Sequence, residues 1–156
     1  MKRKLISFLL ALMTCFGFAS CDFISSLFGS ETETSASLSA EEELAAVEET
    51  GEDMVAIRVL KAEENQKLVD IMKYLREKEA LSFTTDASGM VNAINGKANP
   101  ADWSYCWMLY TSDGELSNTE WGTYTYKGET LGSAMFGAEA LPVLEGEVYV
   151  WVYTKF

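Results

Sequence analysis

The stretch from Gly89 to Tyr110, GMVNAINGKANPADWSYCWMLY, constrains the fold more than any other part of the chain, because it joins a turn-rich loop to an aromatic strand. Its first part contains the pairs Asn95-Gly96 and Asn99-Pro100. Asn and Gly accept positive φ angles and Pro cannot continue a helix, so these pairs predict turns. Its second part, Trp103 to Tyr110, is rich in aromatic side chains, which favour a pleated and partly buried surface. We therefore expect a strand that follows a structured loop, with the rest of the domain packed around that strand.

The first twenty residues have the pattern of a targeting signal. Three basic residues at positions 2–4 precede the apolar run Leu5–Phe18, which is too short to span a bilayer comfortably. Two small residues then precede Cys21, and this order resembles a bacterial lipoprotein signal peptide over residues 1–20. The resemblance implies cleavage before Cys21 and acylation of that cysteine, for example with palmitate. The lipid would anchor the protein on the extracytoplasmic face of a bacterial cell membrane. The alternatives are an ordinary secretory signal with a chance cysteine and an uncleaved anchor.

Residues 21–53 are predicted to form a lipidated, disordered tether. Asp22 to Asp53 contains ten acidic residues and no Lys or Arg. A segment with low hydrophobicity and one sign of charge cannot offset the entropy lost on ordering, and its like charges extend the chain. The alternative is a short helix over Ser39–Glu49, with Ser39 as its N-cap and Glu42 completing a capping box. We expect this segment to separate the membrane from a folded domain over residues 54–156.

Hydrophobic patterning predicts that residues 54–156 form an α+β domain. A helix is predicted over Gln66–Glu79, with Asn65 as its N-cap and an apolar face formed by Leu68, Ile71, Met72 and Leu75. Valines and aromatic residues alternate near the C-terminus, so the two sets are predicted to face opposite sides of a sheet. The predicted strands are Met54–Leu60, Leu81–Thr85, Met90–Ile94, Trp103–Tyr110, Trp121–Tyr126, Glu129–Ser133 and Val148–Tyr153.

The composition argues against several classes of function. The chain has no histidine, which removes the usual general base and the commonest metal ligand. Its net charge of −12, without a basic cluster beyond residues 2–4, disfavours nucleic acid as a partner. Cys106 is the one cysteine of the predicted domain, and it has no basic neighbour to activate its thiol. Phosphate-loop, metal-cluster and nucleophile motifs are missing. We therefore expect a protein that is not an enzyme and needs no cofactor.

Four short blocks carry a resemblance to a known family: Ala93–Gly96 (AING), Trp107–Tyr110 (WMLY), Glu145–Glu147 (EGE) and Tyr153-Thr154. In this order they resemble the domain of unknown function 4430 (DUF4430), a family similar to the C-terminal β-domain of transcobalamin and intrinsic factor. The resemblance covers about residues 54–156. It implies a β-grasp, ubiquitin-like fold, with one helix packed on a mixed sheet and an extra hairpin within Ser117–Ala140. It also implies that cobalamin is a possible ligand, although in transcobalamin the corrinoid lies between this domain and a larger helical one.

The loop and the aromatic strand are the candidate binding regions. The loop could present side-chain amides to a ligand, or its Asn residues could only shape turns. The strand could present flat rings to a planar or sugar-like ligand, or its aromatic residues could form a second core beneath the hairpin. The candidate ligand contacts are Asn92, Asn95, Asn99, Trp103, Tyr105 and Trp107.

These observations predict a membrane-anchored, extracytoplasmic binding or interaction lipoprotein that performs no catalysis. Its target would be a small molecule, such as a corrinoid, or an extracellular protein or glycan. The alternative is a structural or adhesion module of the cell envelope.

Overall fold

The computed structural model describes residues 42–155, which belong to one compact unit. The predicted signal peptide, Cys21 and the first part of the predicted tether lie outside the described residues. Within the described range, the strands are β1 (Ala45–Thr50), β2 (Met54–Val59), β3 (Phe83–Thr85), β4 (Val91–Ile94), β5 (Lys97–Ala98), β6 (Tyr105–Thr111), β7 (Ser117–Tyr126), β8 (Glu129–Ala134) and β9 (Val148–Lys155), and the helix is α1 (Leu68–Glu77). The predicted α+β class is confirmed at this level.

The strands form two antiparallel sheets. The main sheet has the order β1-β2-β9-β6-β8-β7, and a small sheet has the order β3-β4-β5. Every strand pair in the described residues is antiparallel, so the prediction of a mixed sheet was wrong. A parallel pair needs a long crossover connection. Helix α1 follows β2 and provides one, but the strand after it joins the small sheet instead of returning to the main sheet.

Strand β1 corrects the predicted boundary of the tether. Residues 45–50 were assigned to a disordered segment or a short helix, but they pair with β2 at the edge of the main sheet. Ala45 and Val47 face the core beneath α1, while the Glu48 carboxylate forms ion pairs with Arg58 and Lys127. The strand pattern was not evident among the acidic residues. An edge strand needs only small apolar residues on the one face that contacts the core.

Helix α1 covers one face of the main sheet. Its buried residues pack against strand residues that include Val55, Ile57 and the fully buried Tyr149. The helix begins later than predicted, because Lys67 is held in an extended bridge with Pro142. Asn65 is therefore not the N-cap. The Lys67 backbone N–H donates instead to the Asp70 carboxylate, at 3.2 Å, which satisfies one of the exposed donors at the helix start.

The β7–β8 hairpin contributes to a smaller core on the other face of the main sheet. Its turn is Lys127-Gly128, whose φ angles of 47° and 86° suit the tight two-residue hairpins that need positive φ at both positions. The buried residues of this core are Ala56, Tyr126, Leu131, Val148 and Val150. Tyr149 and Trp151 belong to the helix-side core, so the predicted alternation along the last strand is confirmed.

Candidate functional site

A groove opens beside the part of β6 that does not pair with β8. Strand β6 pairs with β9 along its full length, but with β8 only at Tyr110 and Thr111. The space beside the rest of β6 is bounded by the chain before β4 and the chain after β8. We call this space the hairpin groove. Its volume is about 500 Å³, and its lining includes Met90, Trp107, Leu109, Trp121, Phe136 and Trp151.

A second depression adjoins the first. It has a volume of about 370 Å³ and is bordered by Asn99, Trp103 and Cys106. We call it the loop groove. Met90, Val91, Trp107 and Met108 line both grooves, so the two form one continuous surface along β6. The combined volume is in the range of small-molecule sites.

Exposed apolar side chains converge on this surface. Eight large hydrophobic side chains are exposed among the described residues, and five of them line the two grooves. Contiguous exposed apolar surface of this kind is typical of an interaction or ligand site, whereas single exposed hydrophobic residues are ordinary. The five are Met90, Trp103, Trp121, Met135 and Phe136.

The three predicted asparagines are held by contacts within the protein. The Asn92 side-chain oxygen accepts from the Thr84 hydroxyl at 2.5 Å, and the Asn95 side-chain oxygen accepts from the Ser82 backbone N–H at 3.0 Å. The Asn99 side-chain oxygen accepts from the Trp107 backbone N–H at 3.0 Å, so it satisfies a donor on the open edge of β6. The structure therefore favours the turn-shaping interpretation of the loop, although Asn99 also borders the loop groove.

The three predicted aromatic residues have different environments. Trp103 is 47% exposed and its φ is 56°, a backbone region that bulky residues rarely adopt. Tyr105 is exposed and stacks on Tyr153, with ring centroids 5.6 Å apart. Trp107 is buried, and its indole N–H donates to the Lys97 carbonyl at 2.8 Å. The grooves bring Trp103 and Trp107 together, and Tyr105 lines neither groove.

Both interpretations of the aromatic residues apply, each to a different subset. Tyr124 and Tyr126 of the hairpin pack in the second core, where Tyr124 lies 5.7 Å from Tyr110 between ring centroids. Trp121, on the same hairpin, is 61% exposed and lines the hairpin groove. The hairpin therefore covers part of the second face and leaves other rings accessible.

The candidate list from the sequence omitted one whole wall of the hairpin groove. That wall is built by Ala134–Ala140, a segment whose structure the sequence left ambiguous, and includes the exposed Met135 and Phe136. The adjacent glycine and alanines give the segment no clear periodicity. The useful signal was Met135-Phe136, a pair of large apolar residues among small ones. Such residues on an irregular segment either pack into a core or form an exposed apolar surface.

Two polar atoms of groove-lining residues are buried without partners. Three buried side-chain polar atoms in the described residues have no hydrogen bond: Trp151 Nε1, Ser133 Oγ and Asp113 Oδ2. Trp151 and Ser133 both line the hairpin groove. An unpaired buried polar group costs about 1–3 kcal/mol, so such groups in a native protein call for an explanation.

The described residues that line the grooves include few groups that could take part in catalysis or bind a metal ion. No group of three metal-ligating side chains occurs among residues 42–155. Cys106 is buried, and burial raises the pKa of its thiol, which makes the reactive thiolate scarcer. Among the residues that the structure describes, Glu139 is the one charged residue lining the hairpin groove. The arrangement suits binding of apolar surface.

Helix α1, the helix of the described region, is too short to cross a bilayer.

Comparisons with protein families, curated proteins and solved structures found no match to this chain. The resemblance to DUF4430 therefore stays a prediction, and the two grooves are the structural feature that indicates a binding role.

Proposed function

We propose that this protein is a membrane-anchored, extracytoplasmic lipoprotein that binds a small molecule and performs no catalysis. The observation that supports the binding role is the convergence of five exposed large hydrophobic side chains on two adjoining grooves. They come from the loop, from the hairpin and from the segment after the hairpin, so their meeting depends on the tertiary fold.

The proposed anchor is a lipid on Cys21, which becomes the first residue of the mature protein when residues 1–20 are removed. The full chain, produced in a bacterial host with radioactive palmitate, should carry the label and sediment with membranes. Cys21→Ser should abolish the label, because it removes the acylated atom. Cys15→Ser, a matched change within the signal, should keep it. Label that persists in Cys21→Ser would refute the proposed anchor.

The proposed fold family is the β-grasp group that includes DUF4430 and the transcobalamin β-domain. Supporting this, one helix packs across a sheet whose inner strands β2, β9 and β6 carry most of the strand residues in the core. The fully antiparallel pairing departs from the mixed sheet expected of that group. Superposition of an experimental structure on transcobalamin tests the relationship, and a different strand order in the core would contradict it.

A corrinoid is the ligand that the family resemblance suggests. It is larger than the hairpin groove of about 500 Å³ can enclose, so only part of it would be buried. Equilibrium dialysis of residues 21–156 carrying Cys21→Ser, against cobalamin and cobinamide, tests this ligand. Saturable binding near micromolar that Trp121→Ser weakens would support it. Absence of binding at millimolar ligand would exclude corrinoids while leaving other small molecules to be tested.

An adhesion module is the second candidate. Strand β7 is the last strand of the main sheet, and five of its ten residues are exposed. An open sheet edge can pair with a partner protein. Cosedimentation of the same soluble chain with isolated cell walls tests this role. Retention that Thr123→Pro abolishes would favour adhesion, because proline removes a backbone donor of β7, whereas equal retention of both chains would count against it.

A further inference from the structure

We infer that the hairpin groove selects an uncharged, largely apolar small molecule that presents a carbonyl-type hydrogen-bond acceptor to Trp151. This inference rests on the proposed function, because it assigns a ligand class to the same groove.

The apolar part of the inference follows from the lining. Trp107, Trp121, Trp151 and Phe136 provide aromatic surface, and Met90, Met108 and Met135 provide flexible thioether side chains. Aromatic rings favour stacked or edge-on contacts with planar molecules, and methionine adapts its shape to what it contacts. A volume of about 500 Å³ suits a molecule of a few fused rings.

The hydrogen-bond acceptor follows from the unpaired indole. Trp151 is 4% exposed and lines the groove, and its Nε1–H has no partner among the described residues. An indole N–H can only donate, so it needs an acceptor. The Ser133 hydroxyl is also buried and unpaired, but Ser133 is paired with Tyr110 and faces the second core, on the other side of the sheet from Trp151. The other buried tryptophan of the groove, Trp107, is already paired to a carbonyl.

Access to the Trp151 indole N–H requires movement of the lining. Its Nε1 atom is covered in this structure, so a ligand reaches it only when neighbouring side chains change rotamer. Met135 and Phe136 are 43% and 46% exposed, which leaves space for such changes. The inferred site is therefore one that a ligand opens as it binds.

The absence of charge on the ligand follows from electrostatics. Glu139 lines the hairpin groove, and no Lys or Arg among the described residues lines it. The whole chain carries a net charge of −12. A carboxylate or phosphate in this groove would lose hydration without gaining a cationic partner, so a neutral acceptor such as a ketone or an amide is favoured.

Three fluorescent probes with the same fused-ring skeleton test the inference. They are a dimethylaminonaphthalene with a propanoyl group, its propyl analogue without the oxygen, and the corresponding naphthoate anion. Each is titrated into residues 21–156 carrying Cys21→Ser, which retain the whole compact unit. We expect the ketone to bind about tenfold more tightly than the propyl analogue, as one hydrogen bond allows. The anion should bind more weakly than either.

Indole N–H signals in ¹H–¹⁵N NMR spectra identify the contact. The chain has four tryptophans, and loss of a peak in Trp151→Phe assigns the signal of Trp151. The ketone should shift this signal downfield, and the propyl analogue should not. Trp151→Phe should remove the tenfold preference. Tyr149→Phe is the control, because it also removes a polar group from a buried aromatic side chain but lies outside the groove; it should keep the preference.

The outcomes separate the inference from the proposed function. Equal binding of ketone and propyl probes, with an unmoved Trp151 signal, would overturn the acceptor and leave small-molecule capture intact. Tightest binding of the anion would overturn the inferred charge selectivity. Failure of all three probes to bind, up to their solubility limits, would overturn small-molecule capture in this groove together with the inference.

Discussion

The two faces of the main sheet are stabilised in different ways. The face beneath α1 buries a large, almost wholly apolar set of side chains, in which Tyr149, Ile57 and Leu68 are fully buried. The face beneath the hairpin buries only five residues and adds a polar cluster, in which the Glu48 carboxylate meets Arg58, Lys127 and the Tyr126 hydroxyl. The difference indicates that the smaller apolar core is supplemented by ion pairs where it holds the hairpin in place.

Leu68→Ala should have the largest effect on stability. Leu68 is fully buried between α1 and the main sheet, where strand and helix side chains prevent collapse into the cavity. Alanine favours helix slightly more than leucine, so a loss of stability would come from lost packing and not from helix propensity. We expect a decrease of about 3–4 kcal/mol in the free energy of unfolding, measured by urea denaturation. A loss below about 1 kcal/mol would contradict the description of this face as the main source of stability.

Leu131→Ala makes the same chemical change on the hairpin side and should cost less. Leu131 is 1% exposed, but its neighbours Tyr110 and Tyr124 are only partly buried and can move toward the cavity. We expect a loss of about 2–3 kcal/mol. Native-state hydrogen exchange should show faster exchange mainly in β7 and β8, since the hairpin can open locally. Uniformly faster exchange across all strands would mean that the two faces unfold as one unit.

The sequence predicted the elements whose periodicity is strong and missed those defined by distant contacts. The alternation of valine with aromatic residues placed β9 correctly between two cores, because a strand with two buried faces needs large side chains on both. Strand β1 was missed, because its Glu48 carboxylate is neutralised by Arg58 and Lys127, which lie outside the strand in sequence.

The candidate site was only partly predictable for a related reason. Trp103 and Trp107 were chosen from their aromatic stretch, and both line the grooves. The unpaired Trp151 N–H and the exposed Met135 and Phe136 became evident only from the packing. Asn95 and Asn99 appeared available for a ligand in the sequence, but a backbone N–H occupies the side-chain oxygen of each.

Glu48→Gln should give the smallest of the stability effects and should depend on pH. The hydrogen bond from Arg58, together with Lys127 and Tyr126, lowers the pKa of Glu48 from 4.5 to about 2. A lowered pKa in the folded state contributes stability above pH 4.5 that is lost as the pH falls toward 2. Since the Glu48 side chain is 19% exposed and those of Arg58 and Lys127 are 37% and 56% exposed, solvent screening limits the effect to about 1–2 kcal/mol at neutral pH.

Urea denaturation of the wild type and Glu48→Gln between pH 7 and pH 2.5 tests this prediction. The difference between the two proteins should be largest at pH 7 and shrink below about pH 4.5, because protonated Glu48 resembles Gln. Glu49→Gln is the matched control: it removes a neighbouring exposed carboxylate and should change stability by less than about 0.5 kcal/mol. A difference that persists unchanged at pH 2.5 would show that shape or hydrogen bonding, and not charge, holds the hairpin against β1.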